Sequence, residues 1–294
     1  MPAPIYVSMK NILICLAALL ITAETQAQAT DGQVAKTRFF FKLYGNYGLI
    51  TPGSDKVTAR IHPNGGDEQF SVGNRGLGAG LHCGGGVGLV ASDFLNLGID
   101  VDYLKGNKLQ TNEISDGGGQ YYTFSRNTTN YSILSVIPNV TFKALSKPAY
   151  FMYTRIGIIL TTKIKYATGE LDSADYPSTA TRITEQDNVD YSFKLNAGVQ
   201  IAFGAQFTLV KNLRGFVELT GNYLPISPSS SVDNGEIREY NPDNSIKTRT
   251  KADAVTTTYS KTGTYVNSGT HISSPSIVYN VNSIGVGVGL VYKF

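Results

Sequence analysis

The last nine residues of the chain alternate without a break: Val286, Val288, Leu290, Tyr292 and Phe294 interleave with Gly287, Gly289, Val291 and Lys293. Successive side chains of a strand point to opposite faces, so one face of this ribbon is wholly apolar and the other mostly glycine. A sheet built from such ribbons needs a cover for its greasy face. A second protein layer is one cover and a lipid bilayer is another, and the choice decides what this chain can fold into.

The same period recurs along the sequence. A first strand is predicted from Arg38 to Ile50, with Phe39, Phe41, Leu43, Tyr47 and Leu49 on one face. A second, Arg75 to Val90, sets Leu77, Leu81, Val87 and Leu89 against Gly78, Gly80, His82, Gly84, Gly86 and Gly88. The third sets Leu95, Leu97, Ile99, Val101 and Tyr103 against Asn96, Gly98, Asp100 and Asp102. The fourth carries Leu134, Val136, Val140 and Phe142; the fifth has Met152, Ile156, Ile158 and Leu160 opposite Tyr153, Arg155, Thr161 and Lys163. The sixth is read from Tyr191 through Leu209, with Phe193, Leu195, Val199, Ile201, Phe203 and Phe207 facing Lys194, Asn196, Gln200 and Gln206. The seventh sets Leu213, Val217, Leu219 and Tyr223 opposite Arg214, Glu218, Thr220 and Asn222, and the eighth runs from Val278 to Phe294.

The connections sort by length. Those near 91–94, 145–149 and 210–213 are short, and those near 51–74, 106–120, 167–189 and 226–277 are long and polar. Short turns at one end, long loops at the other and an even strand number describe a transmembrane barrel. A soluble ligand-binding barrel turns its polar face to water. Here that face is Gly, Asn and Thr with few charges, which suits a narrow lumen where glycines leave room for larger side chains opposite. The expected fold is all-β: a closed antiparallel eight-stranded transmembrane β-barrel with long extracellular loops and short periplasmic turns. A second hairpin over 256–274 would allow ten strands and ranks behind eight. Aromatics near strand ends (Phe39, Phe94, Tyr103, Phe142, Tyr150, Tyr166, Tyr191, Tyr223, Tyr279, Tyr292 and Phe294) read as two interfacial girdles.

Composition fits an envelope protein. Charged residues make up only 16% of the chain, against 31 Gly and 18 Tyr, and the formal net charge of +3 is too small to argue for nucleic acid. At the front, Met9-Lys10-Asn11, the apolar run from Ile12 to Ile21 and Ala27-Gln28-Ala29 read as a secretory signal peptide over residues 1–29, with Met9 the expected true start. That run is too short to cross a bilayer as a helix. A single domain, residues 30–294, is expected to follow, keeping one cysteine, Cys83, and so no internal disulfide.

In these features the chain resembles the small outer-membrane β-barrel family of Gram-negative bacteria, the OmpA-transmembrane-like and OmpX-like barrels, over roughly residues 36–294. The best local matches are Tyr150-Phe151-Met152-Tyr153-Thr154-Arg155-Ile156-Gly157, Lys211-Asn212-Leu213-Arg214-Gly215-Phe216-Val217-Glu218-Leu219 and the terminal Val286 to Phe294. The resemblance implies residence in the cell outer membrane among its lipids. It also implies recognition of the last strand by the barrel-assembly machinery through Tyr292 and Phe294, since members end in Phe with an aromatic two residues earlier. It allows a narrow, gated, porin-like pore. One departure from the OmpA type is that no peptidoglycan-binding domain is read after the barrel.

The face assigned to the lumen carries Lys42, His82, Asp100, Asp102, Arg155, Lys194, Arg214 and Glu218. Opposite charges sealed in a narrow barrel should pair, because a lone buried charge is costly. Glu218 is therefore expected to meet Arg155 or Lys194. An eight-stranded barrel is only just wide enough to be filled by its own side chains, so the set reads first as a structural polar plug and second as a narrow channel for ions or small solutes. An enzyme would need a nucleophile, or an activated water, beside a base. His62 and His271 fall in expected loops and His82 among glycines, so no catalytic role and no cofactor are assigned. No metal site is assigned either, since Asp172 with Asp175, and Asp233 with Glu236, match no calcium-loop spacing. Gly84-Gly85-Gly86 is followed by no helix, as a phosphate loop would be. Within 226–277 a projecting hairpin is predicted, with Glu236 to Tyr240 and Ser245 to Arg249 flanking the turn Asn241-Pro242-Asp243-Asn244. This loop is the candidate surface for an extracellular ligand, and the expected function is a non-enzymatic structural, adhesive or recognition role carried by the loops.

Overall fold

The computed structural model describes residues 38–294 apart from 52–53, 62–68, 75, 117–121, 145–146, 148, 177–180 and 262–265. The segment expected as a signal peptide and His62 lie outside these residues. The regular structure of the described residues is all strand.

Eight of the strands pair in series: β1 (Arg38–Ile50), β2 (Gly80–Val90), β3 (Leu95–Gly106), β4 (Tyr122–Ala144), β5 (Tyr150–Tyr176), β6 (Ala197–Val210), β7 (Leu213–Tyr223) and β8 (Ser283–Lys293). Each pairs antiparallel with the next, and β8 pairs back onto β1 from Phe40↔Lys293 to Tyr47↔Val286. The two faces are sorted as the alternation requires. Phe39, Leu43, Val87, Ile99, Ile156, Phe203, Leu219 and Val288 point outward and are exposed. His82, Asp100, Arg155, Gln200, Glu218 and Thr220 point inward and are buried. This polarity is opposite to that of a protein dissolved in water.

Inward glycines pair across strands with aromatics. Tyr44 lies opposite Gly84, Tyr153 opposite Gly204 and Phe216 opposite Gly289. In each case a Cβ on the glycine would run into the aromatic ring. The missing side chain is the space the ring fills, as the sequence led us to expect.

The apolar core sits inside the end of the series that carries the long connections. Leu77, Leu104, Tyr131, Ile133, Ile137, Ile159, Leu224, Ile226 and Val281 are buried there with Tyr166, and Tyr191, Phe193 and Tyr279 pack against them. Tyr166 stacks on Tyr279 at 5.0 Å and meets Tyr191 edge-on at 5.2 Å. These three tyrosines were expected in the girdles. They form an internal plug instead.

Four other expectations are corrected. The long connections are largely strands, because β4 and β5 continue their ladder to Tyr122↔Asp175, well past the apolar band. Thr181–Phe193 adds to β5, Pro228–Tyr240 adds to that strand, and Ile246–Lys251 and Val255–Ser260 line its far edge. Leu109–Asp116 adds to β4 on the other side, followed by Ser54–Ile61 and Gln69–Asn74. The predicted sixth strand is two, broken at residues 194–196, where the Asn196 backbone and side chain bond Thr161 and Ser227. Leu77, expected outward, is buried, since Gly78 and Gly80 (φ +116° and +146°) turn the chain at the start of β2. Val255–Ser260 pairs with His271–Pro275 in parallel, so residues 256–274 are not a second hairpin. The hairpin across residues 241–244 is present, with Glu236↔Lys251 and Arg238↔Arg249 in register.

Candidate functional site

Six of the eight expected lumen residues are buried together, four in a hydrogen-bonded layer around Arg155 and two, His82 and Asp102, in a second cluster beside it. Lys42 reaches in from β1, His82 from β2, Asp100 and Asp102 from β3, Arg155 from β5 and Glu218 from β7; all occupy inward positions of their strands. Arg155 lies at the centre. Its Nη1 donates to Asp100 Oδ2 at 2.7 Å and its Nη2 to Glu218 Oε1 at 2.6 Å. Lys42 Nζ meets the same Asp100 oxygen at 2.5 Å, so two cations and two carboxylates balance in one layer. Glu218 is 4% exposed and joins Arg155, one of the two partners expected.

Two tyrosines complete the acceptor shells. Tyr153 OH donates to Glu218 Oε2 at 2.8 Å, and Tyr44 OH donates to Asp102 Oδ1 at 3.0 Å. The other Asp102 oxygen lies 2.8 Å from His82 Nδ1. Asn46 and Thr220 form a further hydrogen bond across the lumen. Tyr44 and Tyr153 were absent from the expected set although they share the parity of Lys42 and Arg155, two residues away. Their phenols carry no charge at neutral pH, so a search for opposed charges does not single them out.

The remaining two residues do not join. Lys194 is exposed, contrary to expectation. It sits in the break between the two strands that had been read as one, so the parity carried from Gln200 does not reach it. Arg214 keeps the lumen side but lies at the short-turn end, where it stacks on Phe151 at 5.2 Å and forms no ion pair among the described residues. Lys143 and Lys293 approach the same ring at 5.9 and 5.7 Å. Phe151 itself is buried. The sequence placed neither lysine in the site, though both have lumen parity.

Two small voids flank the network. One, of about 40 Å³, lies toward the short turns among Phe40, Asn96, Thr141, Gln206, Phe216 and Lys293. The other, of about 20 Å³, lies toward the plug among His82, Asp102, Ser135, Leu104, Ile133 and Ser283. Volumes of this size hold one to a few waters. In the second void an aspartate orients a histidine whose Nε2 has no protein partner, with serines in the wall. That geometry would suit a general base. Ile133, Ile137 and Leu224 close the void on the loop side, and no substrate fits inside it.

The sheet beyond the plug has its own electrostatics. Arg249 Nη2 donates to Glu236 Oε2 at 2.6 Å, and with Arg238 it holds the Glu236 carboxyl below the usual range. Asp187 is pushed the other way, by burial first and then by Asp233, Glu170 and Asp172. Asp233 also rises, through burial and Glu170. Among the described residues no cluster of three His, Cys, Asp or Glu side chains is arranged to hold a metal.

No protein-family model matches the chain, and no curated protein matches it. Solved structures similar to it include a major outer membrane protein from Thermus thermophilus, at 13% identity over 87% of this chain and 99% of that one, with a TM-score of 0.32. The outer membrane protease OmpT from Escherichia coli is similar at 10% identity over 90% and 99%, TM-score 0.28. The CymD monoaromatic hydrocarbon channel is similar at 7% identity over 94% and 92%, TM-score 0.18. At these scores the likenesses assign neither a family nor an activity.

Proposed function

We propose that this chain is an integral outer-membrane protein: a closed eight-stranded transmembrane barrel, non-conducting and non-enzymatic, that mounts an extracellular sheet with a structural, adhesive or recognition role. One observation carries the reading. Large apolar side chains are exposed around the outside of the paired strands, while the charges lie buried within. Only a lipid surround makes that arrangement favourable, since water would leave a broad apolar belt uncovered. Tyr292 and Phe294 fit recognition by the assembly machinery: both are exposed, with rings 5.1 Å apart.

The polar lumen favours a second reading, a narrow channel. Conduction would require the Arg155 layer and the Leu104–Ile133–Ile137 plug to open together, and the two voids flanking that layer hold only a few waters. Refolded protein in a planar bilayer is the test. A flat trace supports the plugged barrel, and steady openings abolished by Glu218→Leu support the channel. Heat-modifiable migration in gels tests the barrel itself. Protein that stays monodisperse without detergent would refute it.

A further inference from the structure

We propose that four lysines on the outer surface, Lys105, Lys163, Lys165 and Lys194, form a ledge that binds one membrane lipid carrying two phosphate groups, from the leaflet on the side of the long connections. This rests on the lipid surround of the preceding reading and is independent of the role given to the loops.

Each of the four is exposed and stands where the apolar run of its strand ends. Lys105 follows the outward Val101 and Tyr103 of β3, and Lys194 precedes the outward Leu195 and Val199. Lys163 lies eleven residues beyond the outward Met152 on β5. On a strand tilted by about 40° that is a rise of roughly 25–30 Å, just past an apolar band about 25 Å tall. Phosphates of a surrounding bilayer lie at this level.

The lysines are neighbours. Lys105 and Lys165 flank Ser132 of β4 from its two sides, and Lys163 is opposite Leu134. The pairs Tyr166↔Tyr191 and Leu160↔Ala197 keep one register across the break, which sets Lys194 across from Lys163. With strands about 4.8 Å apart, the ledge is about 15 Å wide and about 7 Å tall. Two irregularities create it. The bulge at Thr162 turns Lys163 and Lys165 outward, and the break at 194–196 does the same for Lys194, with Phe193 packed inward on the plug. Thr161 N–H donates to the Asn196 carbonyl at 3.0 Å, and Asn196 N–H donates to Thr161 Oγ1 at 3.0 Å, so the two irregularities are tied together. Without them these side chains would point into the lumen.

Like charges on adjoining strands repel. None of the four forms an ion pair among the described residues. The carboxylate on this side, Asp190 opposite Ala167, is exposed and also unpaired, so the ledge keeps a positive excess after it is counted. At the same edge of β1, β2, β7 and β8 stand Leu49, Leu81, Tyr223 and Ile284, all uncharged. The charge is therefore confined to one sector of the circumference, which marks a site and not a girdle. Two phosphates match both its width and its excess, whereas a phosphodiester lipid supplies a single charge. Outward apolar side chains directly below take the acyl chains.

The experiment uses the full refolded chain in nonionic detergent, to which a synthetic lipid with two phosphate monoesters, phosphatidylglycerol or phosphatidylcholine is added in turn. Native mass spectrometry reads the lipid retained. One molecule of the two-phosphate lipid should stay bound per chain, phosphatidylglycerol more weakly and phosphatidylcholine least. Lys163→Gln combined with Lys194→Gln should weaken retention roughly twenty- to thirtyfold, at about fivefold per lysine. Lys247→Gln, on the outer hairpin, should leave it unchanged. Heat-modifiable migration of each variant separates loss of the lipid from loss of the barrel. A heat-modifiable barrel that retains the three lipids equally, or retains the two-phosphate lipid equally after the double change, overturns the ledge and leaves the barrel standing. Displacement of the lipid by inorganic phosphate at the same concentration overturns it too, since the occupant would then be a free anion.

Discussion

The sharpest test of the sidedness is a single charge placed on the outer face. Phe203 lies six positions from Ala197 and seven from Val210, the two ends of β6. Its side chain points outward and is 58% exposed, between Leu219 of β7 and Thr154 of β5. If acyl chains surround it, Phe203→Arg puts a guanidinium near the bilayer midplane, at a cost of roughly 2–4 kcal/mol. At about 1.4 kcal/mol per decade, the folded fraction relative to unfolded falls about thirtyfold to several hundredfold. Leu209→Arg, near the turn end of the same strand, should cost only about 0–1 kcal/mol. In water neither exposed position would respond by more than about 0.5 kcal/mol. Urea titration in phosphatidylcholine vesicles, followed by heat-modifiable migration and tyrosine fluorescence, measures both. The depth-dependent difference is what lipid predicts; two variants equal to wild type within about 0.5 kcal/mol would refute it.

Three further outcomes follow from the interior and from the outer sheet. Glu218→Leu should destabilise by roughly 3–5 kcal/mol in the same titration, because Arg155 is left buried with too little negative charge. Adding Arg155→Met should recover most of that loss, since Lys42 and Asp100 still balance. Gly84→Val should cost about 1–3 kcal/mol, measured as the urea midpoint, because its Cβ meets both the Tyr44 ring and the Val101 carbonyl; Tyr44→Ala in the same chain should relieve only the first of these and recover part of the loss. In the outer sheet, the raised pKa values of Asp187 and Asp233 mean that folding there favours the protonated carboxyls. Their stabilising contribution is present in the acid range and is lost as pH rises through the raised values. Amide exchange in the Thr181–Phe193 and Pro228–Tyr240 ladder, corrected for intrinsic rates, should therefore be better protected at pH 4 than at pH 7, and Asp187→Asn should flatten the difference.

Period-2 alternation made the eight strands paired in series legible because one face of each ribbon is apolar and a one-residue slip would reverse every side chain. The outer sheet offered no such contrast. Over residues 181–190 the pattern is too weak to tell a strand from a loop, and Ile246–Lys251, polar on both faces, was legible only through the turn at 241–244 with its left-handed Asn244. The tyrosines of the plug were misplaced for a related reason. An aromatic at a strand end suits an interface or an interior equally well, and only the fold of the long connections over the lumen brings Tyr279 onto Tyr166.

The site was legible wherever parity ran unbroken from a greasy neighbour, as from Ile156 to Arg155 or from Leu219 to Glu218. It failed where the ladder is interrupted. Lys194 lies six residues from Gln200, an even separation that puts both on one face of a continuous strand, but the break at 194–196 resets the count. Lys163 is a milder case: a bulge places Thr162 between the Leu134↔Lys163 and Ser135↔Thr161 pairs, and Lys163 turns outward. Neither interruption has a glycine or proline to announce it. Each is stabilised by a partner distant in sequence, Thr161 for the break and β4 for the bulge. Parity therefore holds only within one unbroken ladder, and apolar neighbours do not guard against a break: Lys194 sits between Phe193 and Leu195 and is exposed all the same.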